Sequence, residues 1–282
     1  MVRSGEFGAF LRSRRSRLRP DAAGLDPDAR TRRVPGLRRD EVALLAGVSS
    51  EYYTRLEQGR GGNVSAEVLD ALARALRLDD TEREHLVDLS ARPTPSRRTP
   101  ARVQRVRPGL RLLLRTLDHV PAFVVGRRTD VLASNRLARA VLTDFEAMPA
   151  VHRNLARFML LDPAARELYA DWETNARDAV AILRLEAGRH PTDRQLSDLV
   201  GEFTVGCPEF AGWWDDRRVR RNTHGTKVHR HPLVGELVFS YEALPVPGDP
   251  DQTLCVYSVE PGSASEQALR LLDSWTAPPP GG

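Results

Sequence analysis

Between Leu37 and Gly59 the chain reads LRRDEVALLAGVSSEYYTRLEQG, and its residue types suit the reading of a charged, hydrogen-bonding polymer. Two short helices meet there across Ala46-Gly47-Val48. Glycine tolerates a positive φ in the turn, and the small Ala43 and Ala46 let the helices approach closely. In the second helix Val48, Tyr53 and Leu56 fall inward, which leaves Ser50, Glu51, Thr54 and Arg55 outward in the half that enters a major groove. Arg55 can donate two hydrogen bonds to guanine O6 and N7, a contact worth ~1–3 kcal/mol of discrimination, Glu51 can accept from a cytosine amine, and Ser50 can read either kind of edge. Arg39 before this helix, Arg60 after it, the N–H groups around Ser49 and the hydroxyl of Tyr52 are placed for phosphates. The alternative is a plain helical hairpin in which Arg55 pairs with Glu51 on a solvated face.

The elements that must hold these residues are legible nearby. Phe7, Phe10, Leu11 and Leu18 recur at helical spacing over 6–18, and Pro20, Pro27 and Pro35 then interrupt any helix. A helix over 37–45 turns Val42, Leu45 and Ala46 inward. The next runs over about 49–58, with Ser49 as cap and Gly59 as stop. A fourth fits 65–76 behind Ser65, with Val68, Leu69, Leu72 and Leu76 as its apolar face. A fifth fits 81–90, where Thr81 and Glu84 stand in capping-box spacing. The result is an all-α five-helix domain over residues 1–91.

The charge distribution agrees with an anionic partner. Residues 1–108 hold 22 arginines against 15 acids, a net of +7, whereas 109–282 carry a net of −3 within a total of +4. Nucleic acid is favoured over a membrane surface, because no basic amphipathic helix with an aromatic face appears in the basic part. The 282 residues suggest two domains. RPTPSRRTPARVQRVRP at 92–108 has four prolines, six arginines and no apolar period, the composition of an extended linker. Beyond it, 109–276 begins with a leucine-rich helix around 110–117 and a hairpin of PAFVVG and DVLA. A helical stretch follows to about 216, then strands through Leu237, Phe239 and Tyr241 and through LCVYSV, and a closing helix over 264–275. This order argues for an α+β domain whose small antiparallel sheet is covered on one face. Residues 277–282 read as a disordered tail. No run approaches the ~18 apolar residues of a membrane span, and the N-terminus lacks a secretory core, so a cytoplasmic, nucleoid-associated protein is expected. Cys207 and Cys255 form no disulfide framework.

Residues ~6–91 resemble the XRE family of helix-turn-helix domains, and the insert PDAAGLDPDARTRRVPGLRR resembles one branch of it. NLARFMLLDPAARELYADWETNARDAVAILR, CPEFAGWW, THGTKVHRHPLVGELVFSYEAL and PGSASEQALRLL resemble the ligand-binding domain of MmyB-like transcription regulators. The resemblance implies a PAS-like C-terminal fold that holds a fatty acid or similar apolar ligand in some members. Ser134 stands where that family usually carries a tryptophan, and Arg217 where it carries a histidine.

Within that fold Phe123, Phe158, Trp172, Trp214, Phe239, Tyr241 and Tyr257 are the aromatics expected around a pocket, although each also fits a plain core. An acyl carboxylate needs a cation or donor at the mouth, and THGTKVHRH supplies His224, Lys227, His229, Arg230 and His231, with His231 taken as the ligand-binding one. A metal is not expected: no carboxylate accompanies the histidines at ligand spacing, and Lys227 and Arg230 repel a cation. No G-x-S-x-G, P-loop or G-x-G-x-x-G appears, so no enzyme is expected. The reading is a multi-domain regulator that binds double-stranded operator DNA as a homodimer under control of a small apolar ligand. Two alternatives stand beside it: a C-terminal domain that only dimerises or recruits protein, and a DNA-tethered enzyme.

Overall fold

The computed structural model describes residues 2–25, 35–91 and 104–276. Most of the stretch read as linker (92–103), the tail 277–282 and part of the proline-rich insert lie outside the described residues. Two compact units emerge, and their division does not follow chain order. The first takes Met1–Thr99 together with Arg184–Asp193 and Gly212–Arg221; the second takes Pro100–Leu183, Arg194–Ala211 and Asn222–Gly282.

The first unit contains α1 (Val2–Arg17), α2 (Arg39–Ala46), α3 (Ser50–Glu57), α4 (Ala66–Ala75) and α5 (Asp80–Ser90). Phe10, Leu11, Leu37, Val42, Tyr53, Leu56, Leu72 and Leu86 form its core, and Leu185 and Val219 from the two later segments join the same cluster. Two details differ from expectation. Leu45 is exposed and Ala43 is buried instead: at 100° per residue, Val42, Ala43 and Ala46 share a face that Leu45 lies outside. The capping box of α5 is built by Asp79 and Glu82 rather than Thr81 and Glu84. Asp79 Oδ1 accepts from the Glu82 N–H at 2.8 Å, and the Glu82 carboxylate accepts from the Asp79 N–H at 3.2 Å. Aspartate is at least as good a cap as threonine, so the helix starts earlier.

One charged group ties three of these helices together. Glu57, at the end of α3, is 2% exposed. It accepts from Arg15 Nε of α1 at 2.6 Å and from Arg39 Nε of α2 at 2.7 Å. Burial alone would raise its carboxyl, and the hydrogen bonds and charges of the two arginines overcome that and hold it below the ordinary glutamate range.

The second unit is built on α6 (Pro108–Thr116), β1 (Ala122–Val125), β2 (Val131–Ser134), α7 (Arg136–Val141), α8 (Leu155–Leu161), α9 (Pro163–Leu168), α10 (Trp172–Arg189), α11 (Arg194–Gly206), α12 (Phe210–Asp215), β3 (His224–His231), β4 (Gly235–Val246), β5 (Asp249–Ser258) and α13 (Ala264–Thr276). The end of α10 and most of α12 belong to the first unit. The five strands form one antiparallel sheet in the order β2-β1-β5-β4-β3, with Phe123 opposite Cys255 and Tyr241 opposite Tyr257. Asn135 locks the hairpin to α7. Its oxygen accepts from the N–H groups of Ala122 and Ala138, and its amide donates to the carbonyls of Leu117 and Val120, so every capacity is used.

The sheet is covered on both faces, not one. Phe123, Phe239, Tyr241 and Tyr257 pack with Leu137 and Val141 of α7 and Leu269 and Leu272 of α13. The alternate residues Ala122, Val124 and Leu254 pack with Leu110 and Leu114 of α6. The stretch read as linker ends inside this second cluster, where Val106 is buried. β3 was not anticipated, because its inward positions are His229 and His231 rather than apolar residues.

Glu57→Gln keeps the shape and removes the charge between two arginines, so the first unit should lose about 3–5 kcal/mol in urea unfolding. Glu57 is held below its unfolded value, so its contribution is complete above about pH 4.5 and disappears as pH falls through the lower folded value. The variant should lack that acid limb; an unchanged urea midpoint and acid limb would refute the coupling.

Candidate functional site

The geometry of α2 and α3 is that of a helix-turn-helix. Gly47 ends α2 at φ +66°, a left-handed conformation that favours glycine, and its N–H returns to Ala43 and Leu44. Ser49 Oγ accepts from the Tyr52 N–H at 3.1 Å and starts α3. Tyr53, Leu56 and Glu57 are buried, and Ser50, Glu51 and Arg55 are exposed with Thr54 half-buried between them. The residues proposed for base edges thus occupy the face away from the core. The Arg55 guanidinium lies 5.7 Å over the ring of Tyr52, which orients it without engaging Glu51. Arg60 is exposed just beyond α3, its N–H donating to the Arg55 carbonyl. Arg39 remains 48% exposed while its Nε is held by Glu57, so its guanidinium is fixed at one corner and reachable at the other. Glu57 had no place among the residues singled out from sequence, and its position at the end of the α3 pattern carries no signal of which arginines it meets.

In the second unit Phe123, Phe239, Tyr241 and Tyr257 come together on one sheet face, with ring centroids 5.5–5.6 Å apart for Tyr257 with Phe239 and Phe123. Phe158 packs instead on Phe145, and Trp172 donates its Nε1–H to the Met159 carbonyl beneath the Arg166 guanidinium. Trp214 belongs to the first unit, under Arg184, and Arg217 lies there too, so neither joins the sheet cluster. His231 is occupied: its Nε2 meets the Ala140 carbonyl at 3.0 Å and its Nδ1 accepts from the Leu233 N–H.

His229, two residues earlier on the same face of β3, is different. It is fully buried, its ring 4.5 Å from Tyr169, 5.3 Å from Phe239 and 5.9 Å from Tyr257, and neither ring nitrogen has a hydrogen-bond partner among the described residues. Burial, reinforced by the charge of Lys227, pushes its pKa down to about 3, so it is neutral at physiological pH. Lys227 donates to Asn175 and lies 5.0 Å over the ring of Tyr241. Burial likewise raises the phenol of Tyr257 well above its ordinary value. The cluster is therefore an uncharged aromatic box with one ammonium beside it. Ser134 is buried at the end of β2. Among the described residues no group of three His, Cys, Asp or Glu side chains converges as a metal site, and no helix is long and apolar enough to cross a membrane.

A helical unit that presents a capped, arginine-bearing helix in this way is a DNA-binding module. Residues 6–86 match the model of a helix-turn-helix domain, and residues 106–272 match that of the MmyB-like transcription regulator ligand binding domain. The chain belongs to the MmyB-like transcription regulators. It is a DNA-binding transcription regulator with a ligand-binding domain, and both matched families are regulatory rather than enzymatic. No curated protein matches the chain.

The roles expected of the exposed arginines can be told apart by substitution. Arg55→Ala should relax base preference at one position of the bound site. Arg39→Ala should weaken all sequences alike and flatten the dependence of log K on log salt by about one unit. Equal losses for both variants on every sequence, measured by fluorescence anisotropy across a salt series, would refute this division.

Proposed function

We propose that the protein binds a two-fold operator in double-stranded DNA as a cytoplasmic homodimer, and that a small apolar, fatty-acid-like ligand in the second unit controls this binding. One helix-turn-helix reads a half-site, so paired copies match a palindrome. Ser50, Glu51, Thr54 and Arg55 read bases, and Arg39, Ser49, Tyr52 and Arg60 hold phosphates.

The observation that carries the ligand reading is the buried, unpartnered His229 in its aromatic box. An unsatisfied buried polar group costs about 1–3 kcal/mol, a cost that a ligand relieves. Phe239, Tyr241 and Tyr257 suit an apolar body, and Lys227 suits a carboxylate at its end. Neutral His229 offers one donor and one acceptor to any further polar atom. For control to follow, the ligand must favour one state of the regulator over the other; tight binding alone shifts nothing.

Native against denaturing mass spectrometry of the purified protein should show a dimer that carries the mass of a long-chain acid. An apo dimer would favour a dimerisation domain, and an apo monomer would remove both the two-fold operator and the sensor. His229→Leu should abolish the carried mass yet raise the urea midpoint of the second unit, because two unpaired nitrogens leave the interior. The wild-type histidine stays neutral when folded and takes up a proton when unfolded below about pH 6.5, so its burial costs stability as pH falls from there toward 3. The variant should lack this loss. A lower midpoint for the variant at pH 8 would make His229 a structural residue.

A further inference from the structure

We propose that Arg184–Asp193 and Gly212–Arg221 form an intramolecular clamp on α1 and α5 that sets how rigidly the DNA-reading unit is held, with α10 as the lever that works it. The proposal rests on the reading of this unit as the one that binds DNA.

Residues 1–99 do not make up the first unit alone: two segments from later in the chain join its packing. Leu185 and Val219 are buried in its apolar core. Around them run charge pairs in two groups. On α1, Glu6 receives Arg184 at 3.1 Å and also Arg217, Arg17 pairs with Asp216, and Ser13 Oγ donates to the Asp216 carbonyl at 3.0 Å. On α5, Glu84 receives Arg189 at 2.8 Å and Arg221 at 2.6 Å. Each acid thus receives an arginine from both segments. Arg184 is 5% exposed, and it also donates to the Trp214 carbonyl.

The contact of α10 with α5 is close enough to demand glycine. A Cβ at Gly188 would lie 2.5 Å from the ring of His85. That ring cannot swing away cheaply, because His85 is 2% exposed and stacked edge-on against Phe10 of α1 at 5.1 Å. Gly188, His85 and Phe10 therefore form a line from α10 through α5 to α1. Residues 172–183 of the same helix belong to the second unit, so a shift or rotation of α10 is delivered directly to this line and to the two bridging acids.

The test uses the full-length chain with two single substitutions, Gly188→Ala as a wedge and Glu84→Gln to release two arginines. Neither residue belongs to the DNA-reading face. Hydrogen exchange without DNA should rise on the order of tenfold in α1 and α5 and stay unchanged in β4 and β5. Affinity for the operator that the wild-type chain selects from random duplexes should fall at least severalfold, with the same salt slope as wild type. Unchanged exchange in α1 and α5 in both variants would overturn the clamp, and so would faster exchange with unaltered affinity. An altered salt slope would place these residues on the DNA and also overturn it. If Gly188→Ala unfolds the whole chain, Glu84→Gln decides. If the wild-type chain selects no operator, the DNA reading fails separately, and the exchange result still decides whether the segments set the rigidity of α1 and α5.

Discussion

A carboxylate with almost no solvent exposure fixes the arrangement on which DNA reading depends. Arg15 and Arg39 overcome the burial that would raise the carboxyl of Glu57, and an unpaired charge in that position would be far more expensive than any single apolar contact nearby. α1, α2 and α3 must therefore assemble together. The consequence reaches function, because one of the two arginines lies half exposed beside the recognition helix. The bond that holds the fold also removes rotamer freedom from Arg39, the guanidinium proposed for a phosphate, and ordering costs avoided in advance appear as affinity. Only arginine serves here, since its planar fork can bind a carboxylate through one nitrogen and keep others for a second anion.

Local signals explain how much of this unit was readable in advance. Gly47, the Ser49 cap and the spacing of Val42, Ala46, Tyr53 and Leu56 act within one or two turns of chain, and such patterns survive without knowledge of the rest of the fold. The same physics makes caps ambiguous by a residue or two, as with Asp79 and Thr81, because several good oxygens compete for one helix start. Glu57 was invisible for the opposite reason. Its value lies in the partners, one 42 residues away in sequence.

Non-local choices account for the other departures. Nothing in the apolar period of CPEFAGWWDDRRVRR tells which unit receives Trp214 and Arg217; there Arg217 pairs with Glu6 and Asp216 with Arg17. β3 escaped because hydropathy patterns reveal strands through apolar inward residues, and here two histidines fill those places. His229 and His231 are equivalent by spacing, on one face of one strand. They separate only through their neighbours: a helix carbonyl of Ala140 reaches one and three aromatic rings enclose the other.

The two units rely on opposite electrostatics, and that contrast bears on how a signal passes through the chain. In the second unit the buried titratable groups around His229 are neutral, so any ligand there is sorted by shape and by one or two hydrogen bonds, with little effect of salt. In the first unit guanidinium–carboxylate pairs join the helices at different depths. Glu57 and Arg184 are nearly buried, whereas Glu84 and Arg221 are exposed. Partly buried pairs are screened far less than exposed ones. Ionic strength therefore loosens phosphate contacts and the exposed Glu84 pairs well before the pairs of Glu57 and Arg184. A motion of α10 would act on both sets. This helix carries both kinds, Arg184 in the deeper set and Arg189 in the exposed one, so the proposed lever would work through one pair that salt screens little and another that salt screens well.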